Sequence, residues 1–343
     1  MTTPAARSPA ANTPAGVAQL EFGEPVLTAA LRAGMRAVED GLREAVRAEA
    51  PIVREPARHL LEAGGKRIRP LVVLLAAQFG DASAAGVVPS AVVVELTHLA
   101  TLYHDDVMDE AVVRRGAPSA NSRWTNTVAI LTGDFLFARA SDILADLGPA
   151  AVRLQARTFE TLVTGQIRET VGPAPGVEAL EHYLRVLEEK TASLIATAAR
   201  FGGMAAGVDA STVDLLARYG SIVGMAFQLS DDLLDVTSDV GESGKTPGTD
   251  LREGVRTMPV LYALRSTEPA QERLRTLLAG PLDDDDRHAE ALALLRASPA
   301  VAEASKTLAS YAARAREVLG SLPAGPPRDA LAAVADYVVA RTG

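Results

Sequence analysis

The chain has 343 residues, a formal charge of −9 at pH 7, 48% hydrophobic content and only 4% aromatics. That length and apolar fraction can fill a substantial core, and abundant Ala and Leu beside so few aromatics favour helices over a β-sandwich. The acidic balance argues against a nucleic-acid partner, and the absence of cysteine excludes disulfides, thiolate metal sites and a cysteine nucleophile.

Residues 1–19, MTTPAARSPAANTPAGVAQ, lack the charged start and apolar core of a signal peptide and read as a disordered tail. From residue 20 to 343 apolar residues recur at three- and four-residue spacing, broken by Gly and Pro at 64–65, 116–118, 172–176, 202–207, 241–248 and 323–327. The reading is one large all-α domain of about ten helices, with no strand-type alternation. Its longest apolar run, LVVLLAAQF from Leu71 to Phe79, is about half of a membrane span, so a soluble, cytoplasmic chain is expected.

Along the chain, GGKRIRP concentrates Lys66, Arg67 and Arg69 after a flexible Gly pair, a pattern suited either to plain surface or to a phosphate clamp. HLATLYHDDVMDE follows, carrying Asp105, Asp106 and Asp109 at the end of an apolar helical stretch. On a helix Asp105 and Asp109 project from one face with Asp106 at the flank, and like charges so placed need a cation between them. RRGAPSAN adds Arg114 and Arg115, and EKTASLIATAARFGG puts Lys190 and Thr191 at the head of another apolar helix. DDLLD then repeats the acidic spacing at Asp231, Asp232 and Asp235, and Lys245 lies in the Gly and Pro loop beyond.

A lone DDxxD is most simply a solvated acidic face. Two copies behind apolar helices point instead to a hard divalent cation, and Mg²⁺ suits them because it bridges carboxylates to phosphates. Asp283 to Asp286, by contrast, follow Pro281 and read as solvent-facing carboxylates at a helix start. Two carboxylate clusters with several separated cations have the chemistry to ionise a diphosphate ester.

GGKRIRP, HDDVMD, RRGAPSAN, GDFLFARA, EKTASLIATAARFGG, FQLSDDLLD and GKTPGTDLREG occur in that order, and with them the chain from about residue 22 onward resembles the trans-isoprenyl diphosphate synthases of the polyprenyl synthetase family. The resemblance implies helices around a deep central cavity, a homodimer, and one aspartate motif on each of two facing helices. It implies about three Mg²⁺ per site, with Asp105, Asp109, Asp231 and Asp235 as ligands and Asp106 and Asp232 beside them. It assigns Arg114, Lys190, Thr191, Gln228 and Lys245 to an allylic diphosphate, and Lys66, Arg69, His98 and Arg115 to isopentenyl diphosphate. In GVRTMP the chain departs from the family's Gly-Lys before the Thr: Val255 and then Arg256 stand there, which leaves that cation unassigned.

The implied reaction is 1′-4 condensation: the allylic diphosphate ionises, the isopentenyl double bond attacks, and a proton leaves. In the family an aromatic at the fourth or fifth position before the first Asp stops growth early. Thr101 and Ala100 stand there, with Thr97 a turn below, so a long-chain product of the kind attached to quinones is expected, with transient membrane contact for its release. The alternatives are a shorter farnesyl or geranylgeranyl product and a noncatalytic partner subunit. An HD-type phosphohydrolase would leave the ordered cations without a purpose, and a terpene cyclase would carry Asn, Ser and Glu where DDLLD stands.

Overall fold

A computed structural model describes residues 22–238, 247–280 and 282–341; the expected tail at 1–19 and Lys245 lie outside the described residues. Helix α1 (Pro25–Ala45) starts where the Glu24 carboxylate accepts the Val26 amide at 3.0 Å, and it buries Leu27, Leu31, Val38 and Leu42 at helical spacing. Helices α2 (Pro51–Glu62) and α3 (Ile68–Ala77) follow; α3 is covered on all sides except at Arg69.

Helix α4 (Val87–Met108) is apolar nearly all round, and it is enclosed by α1, α3, α6 (Asn126–Leu147) and α9 (Ser193–Ala205). Tyr103 pins it to α2: its hydroxyl donates to the Pro56 carbonyl and accepts the Leu60 amide at 3.2 Å. Between α4 and the short α5 (Ala120–Arg123) the chain forms an antiparallel hairpin, β1 (Val113–Arg114) with β2 (Ala117–Pro118). Strands of two residues are too short to give an alternating pattern, which is why the sequence shows none. Arg115 and Gly116 turn the hairpin with φ of 54° and 74°, the two positive values a tight two-residue turn needs.

Helix α7 (Pro149–Val171) returns beside α6, and α8 (Ala179–Leu187) runs through a π-turn at Glu188–Ala192 into α9. Helix α10 (Ala210–Thr237) is the longest and packs on α9, α15 (Pro299–Leu319) and α16 (Pro326–Ala340). The region past 247 holds α11 (Thr249–Arg252), α12 (Met258–Arg265), α13 (Glu272–Leu278) and α14 (Asp285–Ala297) around a satellite core of Val236, Leu251, Leu277 and Leu295. Sixteen α-helices thus stand among the described residues. The count exceeds expectation because helices of four to eight residues are shorter than the window in which helical periodicity becomes legible. Asp284 accepts the Arg287 amide at 2.8 Å and caps α14, the helix-start role read for that acidic run. Among the described residues no helix is long and apolar enough to cross a membrane.

Candidate active site

The first acidic motif occupies the C-terminal end of α4. Asp105 is half-buried and carries no side-chain hydrogen bond or ion pair among the described residues; burial pushes its carboxyl up to about 6, against the pull of the Lys190 charge. Asp106 is fully enclosed: Arg114 donates to it at 2.6 Å, while its Oδ2 is buried with no hydrogen-bond partner. Asp109 caps the helix, its amide donating to the Asp105 carbonyl at 2.8 Å and its carboxylate standing exposed 3.7 Å from Arg114.

The second motif lies near the end of α10, and each of its carboxylates is already held. Asp231 accepts from Lys66 at 3.0 Å and from Arg341 at 2.7 Å. Asp232 is buried between two neutral donors, the Tyr183 hydroxyl and Gln228 Nε2 at 2.9 Å; burial and the flanking carboxylates push it up to about 6 despite those bonds. Asp235 accepts the backbone amides of Thr249 and Asp250 at 3.2 and 3.1 Å, so it caps α11 and ties that short helix to α10.

Cations converge between and above these motifs. Gly65 sits at φ 145°, and a β-carbon there would stand 2.9 Å from the Arg115 guanidinium, so only glycine lets the loop close over it. Arg115 in turn donates to the carbonyls of Leu60 and Gly64. Arg69 is half-buried with an unpartnered Nε; burial pushes it down to about 10, with Glu95 and Asp231 pulling the other way and Arg115 adding to the fall. His98 is driven well below the usual imidazole range by burial and by Arg69, Arg115, Arg67 and Arg114, and is therefore neutral. Arg67, read as part of a phosphate clamp, is instead a buried strut. It donates to Glu39 at 2.7 Å, Glu95 at 2.8 Å and the Leu61 carbonyl at 3.1 Å, holding at φ 50° the loop that turns Lys66 and Arg69 toward the site.

Lys190 and Thr191 sit on the π-turn rather than at a free helix start, an irregularity often found at functional positions. Gly165 of α7 makes room for it, since a β-carbon there would lie 2.6 Å from the Lys190 amide nitrogen. The turn stands between the two motifs: the Lys190 charge acts on Asp105 and its ammonium donates to Glu169, while Thr191 donates to Gln228 at 3.3 Å, the residue that holds Asp232. Val255 and Arg256 are exposed and bound a hollow of about 250 Å³ with Leu251 and Leu278, one that includes none of the six aspartates.

Beneath the first motif Thr101 donates to the His98 carbonyl at 2.9 Å, and Ala100 and Thr97 are fully buried. On one side of α4, α6 comes close: a β-carbon on Gly133 would stand 3.0 Å from the Ala100 carbonyl oxygen. Sequence reasoning missed Arg341, Tyr183 and Phe227, whose ring carries Lys66 at 4.9 Å and Arg341 at 4.6 Å above it. Tyr183 sits eight residues before Thr191 on the helix entering the π-turn, a faint signal, but nothing in the sequence tells that Arg341 folds back 110 residues onto Asp231.

Known proteins match this arrangement. The family described as Polyprenyl synthetase matches residues 50–295. The chain is 54% identical to a nonaprenyl diphosphate synthase of Mycobacterium tuberculosis, covering 96% of this chain and 99% of that protein. The crystal structure of geranylgeranyl pyrophosphate synthase from Corynebacterium glutamicum, complexed with calcium and isoprenyl diphosphate, superposes with a TM-score of 0.86 at 46% identity, over 94% of this chain and all of that one. A decaprenyl diphosphate synthase from Rhodobacter capsulatus gives 0.84 at 36% identity, over 93% and 99% of the two chains.

Proposed function

The chain belongs to the polyprenyl synthetase family and is a prenyltransferase, and from that premise we propose that it builds a long all-trans polyprenyl diphosphate by adding isopentenyl diphosphate to an allylic diphosphate. The observation that carries this reading is the π-turn bearing Lys190 and Thr191 between two carboxylate clusters, with Lys66, Arg69, His98 and Arg115 gathered beside them. It provides separate grips for two diphosphates.

The acidic clusters fit Mg²⁺. Asp106 has a buried carboxylate oxygen without a partner, and the raised carboxyls of Asp105 and Asp232 mark sites where burying negative charge is costly until a cation arrives. Asp105, Asp109, Asp231 and Asp235 would hold the ions, three in all by the family resemblance. Bound there, Mg²⁺ would draw electron density into the departing diphosphate.

The side chains do the rest. Arg114, Lys190 and Thr191, with Lys245 from outside the described residues, orient the allylic diphosphate and stabilise charge as its C–O bond breaks. Gln228 keeps Asp232 in place beside it through the bond at 2.9 Å. Arg69, Arg115 and Lys66 hold the isopentenyl diphosphate, and neutral His98 can donate to it without adding charge. Positioning of two substrates and preorganised charge supply the rate, so no protein nucleophile is needed.

Small Thr101 and Ala100 beneath Asp105, together with the likeness to the nonaprenyl enzyme, support a long product over a farnesyl or geranylgeranyl one. Six retained aspartates weigh against a noncatalytic subunit. Two copies pair through α6 and α7, where Leu131 and Ile167 are 60% and 58% exposed, the kind of apolar surface that marks an interface. Leu131→Asp combined with Ile167→Asp should sediment as a monomer, and an unchanged oligomer would remove that pairing. The function itself is tested by supplying the protein with labelled isopentenyl diphosphate, Mg²⁺ and allylic primers of increasing length, then sizing the dephosphorylated products. Products of six or more units are expected; no incorporation with any primer would refute the assignment.

A further inference from the structure

The helices that meet at the mouth of the site are joined again deeper down. Helices α4 and α7 run toward Asp105 and Glu169, whereas α9 runs away from Lys190, so earlier positions on α4 and α7 share a depth with later ones on α9. Thr97 lies eight residues before Asp105, about 12 Å along the helix axis. There Gln155 of α7 donates through Nε2 to Thr97 Oγ1 at 2.7 Å, and Thr158 of α7 shares a 2.6 Å hydrogen bond with Thr197 of α9. All four side chains are buried. Around these four the buried surroundings are largely apolar, and their two hydrogen bonds link three helices at this depth.

Gln155 is the least settled member. Thr97 is satisfied, since its hydroxyl also donates to the Val93 carbonyl at 2.8 Å, but Gln155 Oε1 is buried with no hydrogen-bond partner. An unpaired buried amide oxygen destabilises a fold, and leucine, of similar volume, would remove the penalty. Packing therefore gives no reason for glutamine at this position.

The site above does. Resting on the reading that an allylic diphosphate is held at the aspartates, its apolar tail enters the bundle between α4, α7 and α9. An extended isoprene unit spans roughly one helical turn, so the tail reaches the level of Thr97 after about two or three units. To pass, it must separate Gln155 from Thr97 and leave the glutamine amide against hydrocarbon. We propose that Gln155, latched to Thr97 across the bundle, is a specificity-determining residue that sets how many isoprene units are added before release. Each further unit competes with the latch closing again, and the ratio of elongation to release fixes the product.

The test uses the full chain with Mg²⁺, labelled isopentenyl diphosphate and one allylic primer, and reads initial consumption and product length separately. Gln155→Ala opens the layer and should move the main product at least one unit longer. Gln155→Leu keeps the volume, loses the latch, and should shift the same way by a smaller amount. Gln155→Phe fills the layer and should stop growth at three or four units. Because the reacting carbons lie above the latch, initial consumption should stay within about twofold of wild type in all three. Unchanged lengths in active Gln155→Ala and Gln155→Phe would overturn the proposal, and so would loss of the first condensation in Gln155→Leu, since a residue that only limits length spares that step. A wild-type chain that incorporates nothing would overturn the prenyltransfer reading itself, a result distinct from either.

Discussion

The two acidic motifs share a sequence pattern, yet the fold treats them differently. At the end of α4, among the described residues, one carboxylate stands without a hydrogen-bond or ion-pair partner, a second has a buried oxygen left over, and the third faces solvent near Arg114. Near the end of α10 all three are engaged, by Lys66 and Arg341, by Tyr183 and Gln228, and by the amides that open α11. The first motif offers carboxylate oxygens not taken up by the protein's own donors, whereas the second is held by them. Spacing alone conveys the charge at each place, whereas the partners come from other segments, those of Asp231 from Lys66 and Arg341, 165 and 110 residues away.

The sharpest way to break this contrast is to remove a carboxylate from each side. Asp105→Ala and Asp231→Ala should each lower kcat on the order of a thousandfold while circular dichroism stays helical, because grips on a leaving group act mainly in the transition state. Near wild-type turnover in either variant would strike that motif from the mechanism.

A smaller effect separates the two roles open to Lys66, partner of Asp231 and substrate grip. Lys66→Ala should raise KM for isopentenyl diphosphate by roughly tenfold with little change in kcat, since the diphosphate proposed for it does not leave in that step. A change confined to the allylic substrate would mean that Lys66 serves Asp231 alone.

Below the first motif the test is of length rather than rate. Ala100→Phe adds a ring at a fully buried position beneath Asp105, and the main product should shorten to three or four units at a comparable initial rate. An unchanged distribution in a folded, active variant would leave the limit to deeper residues.

The smallest effect is on stability against pH. Asp105 and Asp232 titrate at about 6 in the native state, above the roughly 4 of an unfolded carboxyl. The folded chain therefore favours their protonated forms, a contribution complete below about pH 4 and lost as pH rises through about 6. Without metal, the melting temperature should fall more across that interval in the wild type than in Asp105→Asn, and adding Mg²⁺ should cancel the difference. A fall of equal size in both would contradict the assignment for Asp105.

These contrasts mark how far the sequence was legible. The helical class and both acidic motifs could be read because period and charge are local properties. Arg67 could not be told from its neighbours Lys66 and Arg69, since its burial between Glu39 and Glu95 is created by α1 and α4 packing over the loop. The π-turn at Lys190 lies where α7 comes close at Gly165, a contact no local pattern announces, and the hairpin at Val113 to Pro118 is two residues deep, below the reach of any alternation. Tyr183 and Arg341 became visible only once α8 and the end of α16 were seen against α10.

The most direct test of the account is to count ions. Mn²⁺ bound per chain can be followed by electron paramagnetic resonance in the presence of an unreactive allylic thiolodiphosphate, for the wild type, Asp105→Asn and Asp231→Asn. If the two motifs hold one metal–diphosphate assembly together, the wild type binds several ions cooperatively with the analogue and each variant loses part of them along with analogue affinity. Full wild-type stoichiometry in both variants would contradict that claim.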